Sequence, residues 1–521
     1  MKKYGKKLLA LALSMTIVLS MSACGGGNNA EAPKEDAKQE SVTGYCDTIT
    51  WGQGADVTSL DPHQGKETPA VTVTCQIFDT LTVVDPESGE LKPQIAESWE
   101  QIDDVTYRFK IRQDVKFHDG SALTVEDVKF SLDRAIASAS VSYIVDFIKE
   151  VKVVDDTTVE VILHAPYAPA LRNLAVPFAA IVPKAIVEKD EDAFILNPVG
   201  SGPYKFVEWK QGDSIKLKAF DEYMDGKPET QNLIMKVVPE TAQRLIALET
   251  GDIDIAYDLS PNDVQKAIDN DTIEVLEGPG LSCSYITFNM NKAPFDNPKV
   301  REAINYAIDR QLIVDSIMSG RAEVADDLIA PGVFGYYGSG VYEHNVEKAK
   351  VLLKEAGYEN GFTTSLMTND GQARIDLCTA VQAMLSEVGI TCNIDVMEFG
   401  AYIQKATNGE HEMALCGWVT STKDADYTYY SLEHSSKQGA SGNRSFIHDP
   451  EIDKLVQDGR TVSDPEKRKE IYKELSIKLK EINNNAPIYY NKINVGTNNK
   501  VEGFILDPIG YHPLDHVKMA K

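Results

Sequence analysis

The stretch that decides the fold reads IAESWEQIDDVTYRFKIRQDVKFHDGSALTVEDVKFSLDRA and runs from Ile95 to Ala135. Apolar and polar residues alternate in its first half, with apolar side chains at Val105, Tyr107, Phe109 and Ile111. This period of two predicts a half-buried strand. Thr124 then opens a helix, with Asp127 three residues on as a weak variant of the capping box. The stretch therefore predicts a strand, a tight turn and a capped helix in succession.

Strands and helices alternate in this way along the chain. The clearest helix follows Asn297-Pro298, because Asn297 can cap it and Pro298 suits the first turn. Its apolar series continues to Leu312. Residues 346–356 and 375–388 form two further predicted helices, each followed by a glycine that suits the left-handed position after a helix. The alternation predicts an α/β protein.

Length and charge limit the class of protein. The chain has 521 residues, 43% of them hydrophobic, which is enough for two or three domains. Its formal net charge is −27. An acidic surface argues against nucleic-acid binding and against electrostatic docking to an anionic membrane. We therefore expect no nucleic-acid partner.

The N-terminus predicts export. Basic residues at positions 2, 3, 6 and 7 precede an apolar run over 8–21 and the small residues Ser22 and Ala23. These are the parts of a signal peptide, residues 1–23. Met21-Ser22-Ala23-Cys24 resembles a lipobox in which Met21 replaces the usual Leu, and this implies a lipid on Cys24 that anchors the chain to the outer face of the cell membrane. The alternative is an ordinary signal cleaved near Ala23, with Cys24 incidental.

Residues 24–44 are predicted to be a flexible linker. After Cys24 they read GGGNNAEAPKEDAKQESVTG, with one Val and no aromatic residue. Such a composition cannot bury enough apolar surface to fold. The six cysteines beyond Cys24 contain no CxxC pair, which argues against a structural zinc site. They are either small buried hydrophobes or, in an exported protein, partly oxidised.

Catalytic and metal motifs are missing from the sequence. It contains no P-loop, no G-x-G-x-x-G, no H-E-x-x-H and no EF-hand loop. Gly200-Ser201-Gly202-Pro203 lacks the spacing of a nucleophile elbow, and we interpret it as a point where backbones cross closely. His118 is expected to bond within a turn or core. We predict no catalytic residue, no metal and no cofactor.

The quoted stretch, Ile95 to Ala135, resembles the signature of the solute-binding proteins that serve oligopeptide, dipeptide and nickel ABC importers, family 5. Further blocks agree with this family in the same order along nearly the whole mature chain. They are SLDPH at Ser59 to His63, VGSGPYKFVEW at Val199 to Trp209, FNMNKAPFDNPKVREAINYAIDR at Phe288 to Arg310, and Gly417-Trp418.

The resemblance implies an α/β, two-lobed periplasmic-binding-protein fold of type II-like form. In this family two crossing strands join the lobes, and an extra subdomain is inserted in the first lobe. Carried onto this chain, lobe one comprises residues 45–88, 204–283 and 495–521. The inserted subdomain comprises 89–203, and lobe two comprises 284–494.

The function implied by the resemblance is capture without chemistry. Ligand stabilises a closed form of the two lobes, and that form docks on the permease subunits of an ABC importer. We expect a monomer that is not an enzyme. A hydrolase on this scaffold and a sensory or adhesive surface lipoprotein remain the alternatives. Relatives also use nickel, heme and sugars, but the lack of a His cluster argues against the metal ligands.

The ligand prediction rests on CGWVTSTKDADYTYYSLEHS, Cys416 to Ser435. In dipeptide and oligopeptide binders, an Asp three residues after the Trp pairs with the peptide ammonium, and here that position is Ser421. A hydroxyl offers no charge, so Asp424 or Asp426 would have to take that role. The Gly-Trp block is more similar to the glutathione-type branch. Short peptides are the first choice, and glutathione or another modified peptide is the second.

Other candidate ligand-binding residues come from the same reasoning. Trp418 is either a pocket wall or a core residue, and Tyr427 is a weaker candidate at the rim. Arg374 or Arg444 could hold a carboxylate in bidentate geometry, although a solvated Arg374 is equally expected. Ser282 and Ser284 flank the first predicted crossover and could offer polar contacts.

Overall fold

The computed structural model describes residues 44–65, 67–439 and 442–521. The predicted signal peptide, Cys24 and the linker up to residue 43 lie outside the described residues. Residues 44–521 form one compact unit. The predicted boundaries of lobe one, the inserted subdomain and lobe two therefore stay predictions, and these three names refer below to the residue ranges given above. None of the helices within the described ranges is long and apolar enough to cross a membrane.

The elements alternate as the sequence predicts, which confirms the α/β class. The strands are β1 (Thr48–Gln53), β2 (Thr82–Val84), β3 (Leu91–Pro93), β4 (Ala96–Asp103), β5 (Thr106–Ile111), β6 (Ile148–Asp155), β7 (Thr158–Leu163), β8 (Tyr204–Lys210), β9 (Ser214–Ala219), β10 (Asn232–Val237), β11 (Ile255–Tyr257), β12 (Ile273–Phe288), β13 (Ala322–Val324), β14 (Thr363–Asn369), β15 (Thr391–Met397), β16 (Met413–Val419), β17 (Asn485–Asn498), β18 (Val501–Glu502) and β19 (Lys518–Met519).

Sixteen α-helices are found within the described residues. They are α1 (Thr68–Ile77), α2 (Val125–Ala137), α3 (Ser142–Val145), α4 (Ala170–Asn173), α5 (Lys184–Val187), α6 (Glu191–Leu196), α7 (Thr241–Thr250), α8 (Pro261–Ile268), α9 (Pro298–Ala307), α10 (Arg310–Ser316), α11 (Val346–Glu355), α12 (Gln372–Glu387), α13 (Phe399–Thr407), α14 (Ala425–Glu433), α15 (Pro450–Thr461) and α16 (Pro465–Ile482).

Two long antiparallel strands, β12 and β17, carry one sheet through both lobes. The strand order is β15-β14-β16-β12-β17-β11-β1-β10-β9-β8, with β13 also paired to β17. The lobe-two end of β12 pairs with β16, and the lobe-one end of β17 pairs with β11. Because the chain crosses between lobe one and lobe two along these strands, a relative movement of the lobes must bend β12 and β17.

The quoted stretch lies in the inserted subdomain, where β4, β5, β7 and β6 form a separate four-stranded antiparallel sheet. Phe109 on β5 is buried against α2, together with Val128 and Leu132. The predicted capping box is confirmed: Asp127 accepts from the backbone N–H of Thr124 at 2.9 Å and from its hydroxyl at 2.7 Å.

The predicted helix after Asn297 begins as expected but is shorter. The Asn297 side chain accepts from the Lys299 backbone N–H at 3.0 Å, and α9 starts at Pro298. It ends at Ala307, and Asp309 caps a new helix by accepting from the Leu312 N–H at 2.9 Å. The prediction that the apolar series of one helix continues to Leu312 is therefore wrong. Leu312 belongs to α10 and is 52% exposed.

The Gly200–Pro203 segment crosses the end of α1 as predicted. A Cβ on Gly200 would lie 1.9 Å from the Ile77 carbonyl oxygen, so this contact requires glycine. His118 fixes the same segment: its Nδ1 accepts from the Gly200 N–H at 3.2 Å, and its Nε2 donates to the Gly202 carbonyl at 2.9 Å. Burial lowers the pKa of His118 to about 4, which keeps this tautomer neutral.

Candidate functional site

A cavity of about 230 Å³ lies where the two lobes and the inserted subdomain meet. Side chains from all three contribute to its wall. Lobe one provides Asp79, Tyr223, Asp507, Tyr511 and Asp515, the inserted subdomain provides Gln94, Arg172 and Val176, and lobe two provides Ser421, Thr422 and Lys423. A ligand in this cavity would contact both lobes and the inserted subdomain at once.

Lobe two presents its wall on the loop between β16 and α14. β16 runs parallel to β14, and the loop leaves its carboxyl end. Ligands of open α/β sheets bind outside the carboxyl ends of the strands. Lys423 has a left-handed backbone (φ 56°), and Asp424 caps α14 by accepting from the Asp426 N–H at 3.0 Å. The left-handed residue and the helix cap together fix the backbone of this loop.

One buried ion pair joins the lobes at the cavity. Lys423 Nζ lies 2.7 Å from Asp507 Oδ2, and the two side chains are 10% and 6% exposed. Asp507 also accepts from the backbone N–H groups of Ile509 and Tyr511. Removal of one member of a buried pair leaves an uncompensated charge, so the arrangement in which the lobes touch depends on both members being present.

Three of the predicted site residues lie together beside the cavity. The rings of Trp418 and Tyr427 stack with centroids 5.2 Å apart, and the Ser421 side chain interacts with that of Tyr427. Trp418 Nε1 donates to Thr428 Oγ1 at 3.1 Å. On its other side Tyr427 contacts the ring of Tyr143 from the inserted subdomain, 6.4 Å away. Trp418 is half-buried and packs on the lobe-two core. Neither Trp418 nor Tyr427 is among the described residues that line the cavity, so their role at the ligand stays a prediction.

Asp424 and Asp426 are already paired with arginines. Asp424 is fully buried and accepts from both terminal nitrogens of Arg468, at 2.8 and 3.0 Å. Asp426 accepts from the Tyr167 hydroxyl at 2.9 Å and lies 3.4 Å from Arg460 Nε. Burial raises the pKa of Asp426. These partners argue against either aspartate replacing the carboxylate expected at Ser421.

Arg374 and Arg444 both lie near the ring of Tyr402, and neither is among the described residues that line the cavity. Their guanidinium groups lie 5.8 and 5.9 Å from the ring centroid of Tyr402. Arg374 donates to the Leu415 carbonyl, and Arg444 donates to Cys416 Sγ at 3.6 Å. A role for them in binding ligand stays a prediction.

Ser282 and Ser284 lie on β12 at the crossing strands. Ser282 accepts from Asn491 Nδ2 at 2.9 Å and lines a second crevice of about 370 Å³ along β12 and β17. Ser284 is 8% exposed and lies opposite Tyr489 of β17 in the sheet. Both serines are part of the sheet, and of the two only Ser282 opens onto this crevice.

Sequence reasoning missed several groups that line the cavity. Lys423 lies inside the quoted Cys416–Ser435 stretch, where its place between Ser421 and Asp424 was a usable signal. Asp79, Arg172 and Asp507 come from segments far apart in the chain, and folding alone brings them together. No local pattern marks them.

One free thiol, Cys75, lines the cavity. Within the described ranges, no group of three or more His, Cys, Asp or Glu side chains could hold a metal ion. The six cysteines of that part are free thiols, four of them buried, namely Cys283, Cys378, Cys392 and Cys416. The alternative of small buried hydrophobes holds for these four.

Comparison with known proteins identifies the family. Residues 90–440, more than half of the chain, match the family model described as bacterial extracellular solute-binding proteins, family 5 Middle. The chain belongs to this family. It is a solute-binding protein of the kind that serves peptide ABC importers, and such proteins act outside the cytoplasm. The predicted family and the two-lobed fold are confirmed.

Named relatives agree with this assignment. The chain is 31% identical over 477 residues to the dipeptide-binding protein of Escherichia coli (strain K12), with 85% of this chain and 89% of the relative covered. It is 31% identical to the glutathione-binding protein GsiB of the same strain, with 81% and 84% covered. The structure of DppA from Helicobacter pylori in complex with peptide STSA matches with a TM-score of 0.78 and 29% identity, with 91% and 98% covered.

Proposed function

We propose that this family 5 protein captures short peptides in the cavity between its lobes and delivers them to the permease of an ABC importer. The observation that carries the proposal is the cavity itself, which is bounded by both lobes and the inserted subdomain and lined by charges of both signs. A free peptide carries an ammonium and a carboxylate, so such a wall complements it.

Cavity size favours short ligands. Sites for drug-sized molecules usually enclose about 300–1,000 Å³, and this cavity encloses about 230 Å³. A dipeptide or a small tripeptide fits that space better than a long peptide does. Glutathione is the second candidate, because it is itself a tripeptide and GsiB is a relative.

Capture is proposed to occur by hinge closure around β12 and β17. The contacts that hold the sides together include Lys423 with Asp507, and the Ala168 N–H, which donates to the Arg460 carbonyl at 2.7 Å. A ligand that touches both sides stabilises this closed form. No chemical change of the ligand is part of the proposal, and we expect a monomer.

A lipid on Cys24 and the linker over 24–44 complete the proposal. The tether would hold the binder at the outer face of the membrane and raise its local concentration near the permease. Mass spectrometry of the membrane fraction should find diacylated or triacylated Cys24 as the first residue. A mature chain that begins beyond Ala23 with an unmodified cysteine would contradict the anchor.

A thermal-shift panel tests the ligand class. We expect the purified protein to be stabilised by dipeptides, tripeptides or glutathione, by about 2.7 kcal/mol when ligand is present at about 100 times Kd. The panel also contains a nickel–histidine complex, heme, simple sugars and peptide ester substrates assayed for turnover. A shift with a sugar or metal complex alone, or saturable turnover, would contradict the proposal.

Trp418→Ala should remove most of the peptide-induced shift and leave a cooperative fold. The indole supports Tyr427 by stacking and holds Thr428 by its Nε1 hydrogen bond, so its loss loosens the wall that carries Ser421. Trp99→Ala is the matched control, because Trp99 is a half-buried indole on β4 of the inserted subdomain. If Trp418→Ala and Trp99→Ala show the same peptide-induced thermal shift, Trp418 is not part of the binding site.

A further inference from the structure

The charges that line the cavity are not all paired with one another. Lys423 and Asp507 neutralise each other across the lobes. Asp79 and Asp515 remain on the lobe-one wall, and Arg172 remains on the wall of the inserted subdomain. Among the described residues, neither Asp79 nor Arg172 forms a salt bridge, and Asp515 meets only the exposed His516 next to it, at 3.5 Å. The lobe-one wall thus carries two acidic side chains, and the wall of the inserted subdomain carries a guanidinium.

Asp79 is held in place by neutral donors alone. Its carboxylate accepts from Gln94 Nε2 at 2.8 Å, from Ser201 Oγ at 3.0 Å and from the Tyr223 hydroxyl at 3.3 Å. It is 2% exposed and directly follows the C-terminal end of α1. The carbonyl end of a helix carries partial negative charge, which adds to the attraction for a cation.

Arg172 points its charge into the same space from α4. Its Nη2 donates to the Gly89 carbonyl at 3.1 Å, and its guanidinium lies 5.6 Å from the ring centroid of Phe334. The nearby carboxylate of Asp424 is engaged by Arg468. A guanidinium has five N–H donors, so Arg172 keeps donors for a carboxylate.

We propose that Asp79, with Asp515 beside it, binds the ammonium of the ligand and that Arg172 binds its carboxylate, so that the cavity selects short peptides with both ends free. The inference rests on the proposed function and specifies it. It also accounts for the neutral Ser421, because the carboxylate missing at this position of lobe two is then supplied by Asp79 on the lobe-one wall.

Proton release on binding is a second expected consequence of this role. Burial raises the pKa of Asp79 to about 7, bonds from Ser201 and Tyr223 oppose the rise, and Asp225 and Asp515 reinforce it. The other charged groups of the cavity are Arg172 and the pair of Lys423 with Asp507. A bound ammonium favours the carboxylate form, so binding should release protons near pH 7 and tighten as the pH rises from 6 to 8.

Calorimetric titrations with Ala-Ala and Ala-Ala-Ala, and with their N-acetyl and C-terminal amide forms, test the proposal. We expect each blocked form to bind the wild type about 10- to 100-fold more weakly, the effect of one lost charge-assisted contact. Asp79→Asn should lose the preference for the free ammonium and the proton release. Arg172→Gln should lose the preference for the free carboxylate. Asp254→Asn and Arg108→Gln, outside the cavity, should keep both preferences.

The outcomes separate this inference from the proposed function. Equal binding of free and blocked peptides by the wild type overturns the inference and leaves peptide capture intact. Unchanged preferences in Asp79→Asn and Arg172→Gln, with folding verified by thermal melting, overturn it as well. No binding of either free peptide overturns both. The blocked-peptide comparison uses the wild type alone, so it can overturn the inference even where a variant does not fold, whereas the two variants test the assignment to Asp79 and Arg172.

Discussion

Arg468→Ala is expected to lower the free energy of unfolding by about 3–5 kcal/mol, the usual cost of removing one partner of a buried ion pair. Arg468 and Asp424 are 6% and 0% exposed, and two hydrogen bonds join them. Without the guanidinium, the buried carboxylate at the start of α14 loses the ion pair and both hydrogen bonds that Arg468 provides. Urea denaturation followed by circular dichroism measures the loss.

Lys469→Ala is the control for that measurement. Lys469 is the next residue on α16, and its pair with Glu466 is 50% and 80% exposed, so we expect a change within about 0.5 kcal/mol. Similar stability of the two variants would contradict the buried pair. Loss of peptide binding in Asp424→Asn at unchanged stability would return Asp424 to the role of the ammonium partner.

Lys423→Met is expected to weaken peptide binding by roughly 10- to 100-fold. The variant leaves Asp507 buried and without its cation when the lobes meet, whereas an open form exposes this carboxylate to water. The closed form is therefore penalised more than the open form. The backbone N–H groups of Ile509 and Tyr511 still bond to Asp507, which limits the effect. Titration calorimetry with the best peptide of the panel measures it.

Lys473→Met is the matched control for Lys423→Met. Lys473 lies on α16 in lobe two, and its pair with Glu470 is 41% and 76% exposed. We expect it to bind peptide like the wild type. Equal affinity in Lys423→Met and Lys473→Met would show that the pair of Lys423 with Asp507 is not part of closure.

Local features of the fold could be predicted from the sequence because their causes are local. Thr124 with Asp127 and Asn297 before Pro298 begin helices where the pattern places them. The break after Ala307 was missed, although Asp309 is itself a good cap, because the apolar spacing continues across it. Periodicity alone does not distinguish one helix from two that share a face.

Much of the site could not be predicted, because it depends on contacts between distant segments. Trp418, Ser421 and Tyr427 lie in one short stretch and were found together. The arginine partners of Asp424 and Asp426 lie on α16 and α15, and nothing in the Cys416–Ser435 stretch marks these carboxylates as paired. Asp79 and Arg172 likewise meet Ser421 only across the cavity.

A crystal structure of the complex with the dipeptide that gives the largest thermal shift tests the central claim most directly. Electron density for the peptide should lie in the cavity, in contact with Ser421 to Lys423 on one side and with Asp79 and Tyr223 on the other. Density in the crevice along β12 and β17, or on the surface, with the cavity filled only by water, would contradict capture at this site.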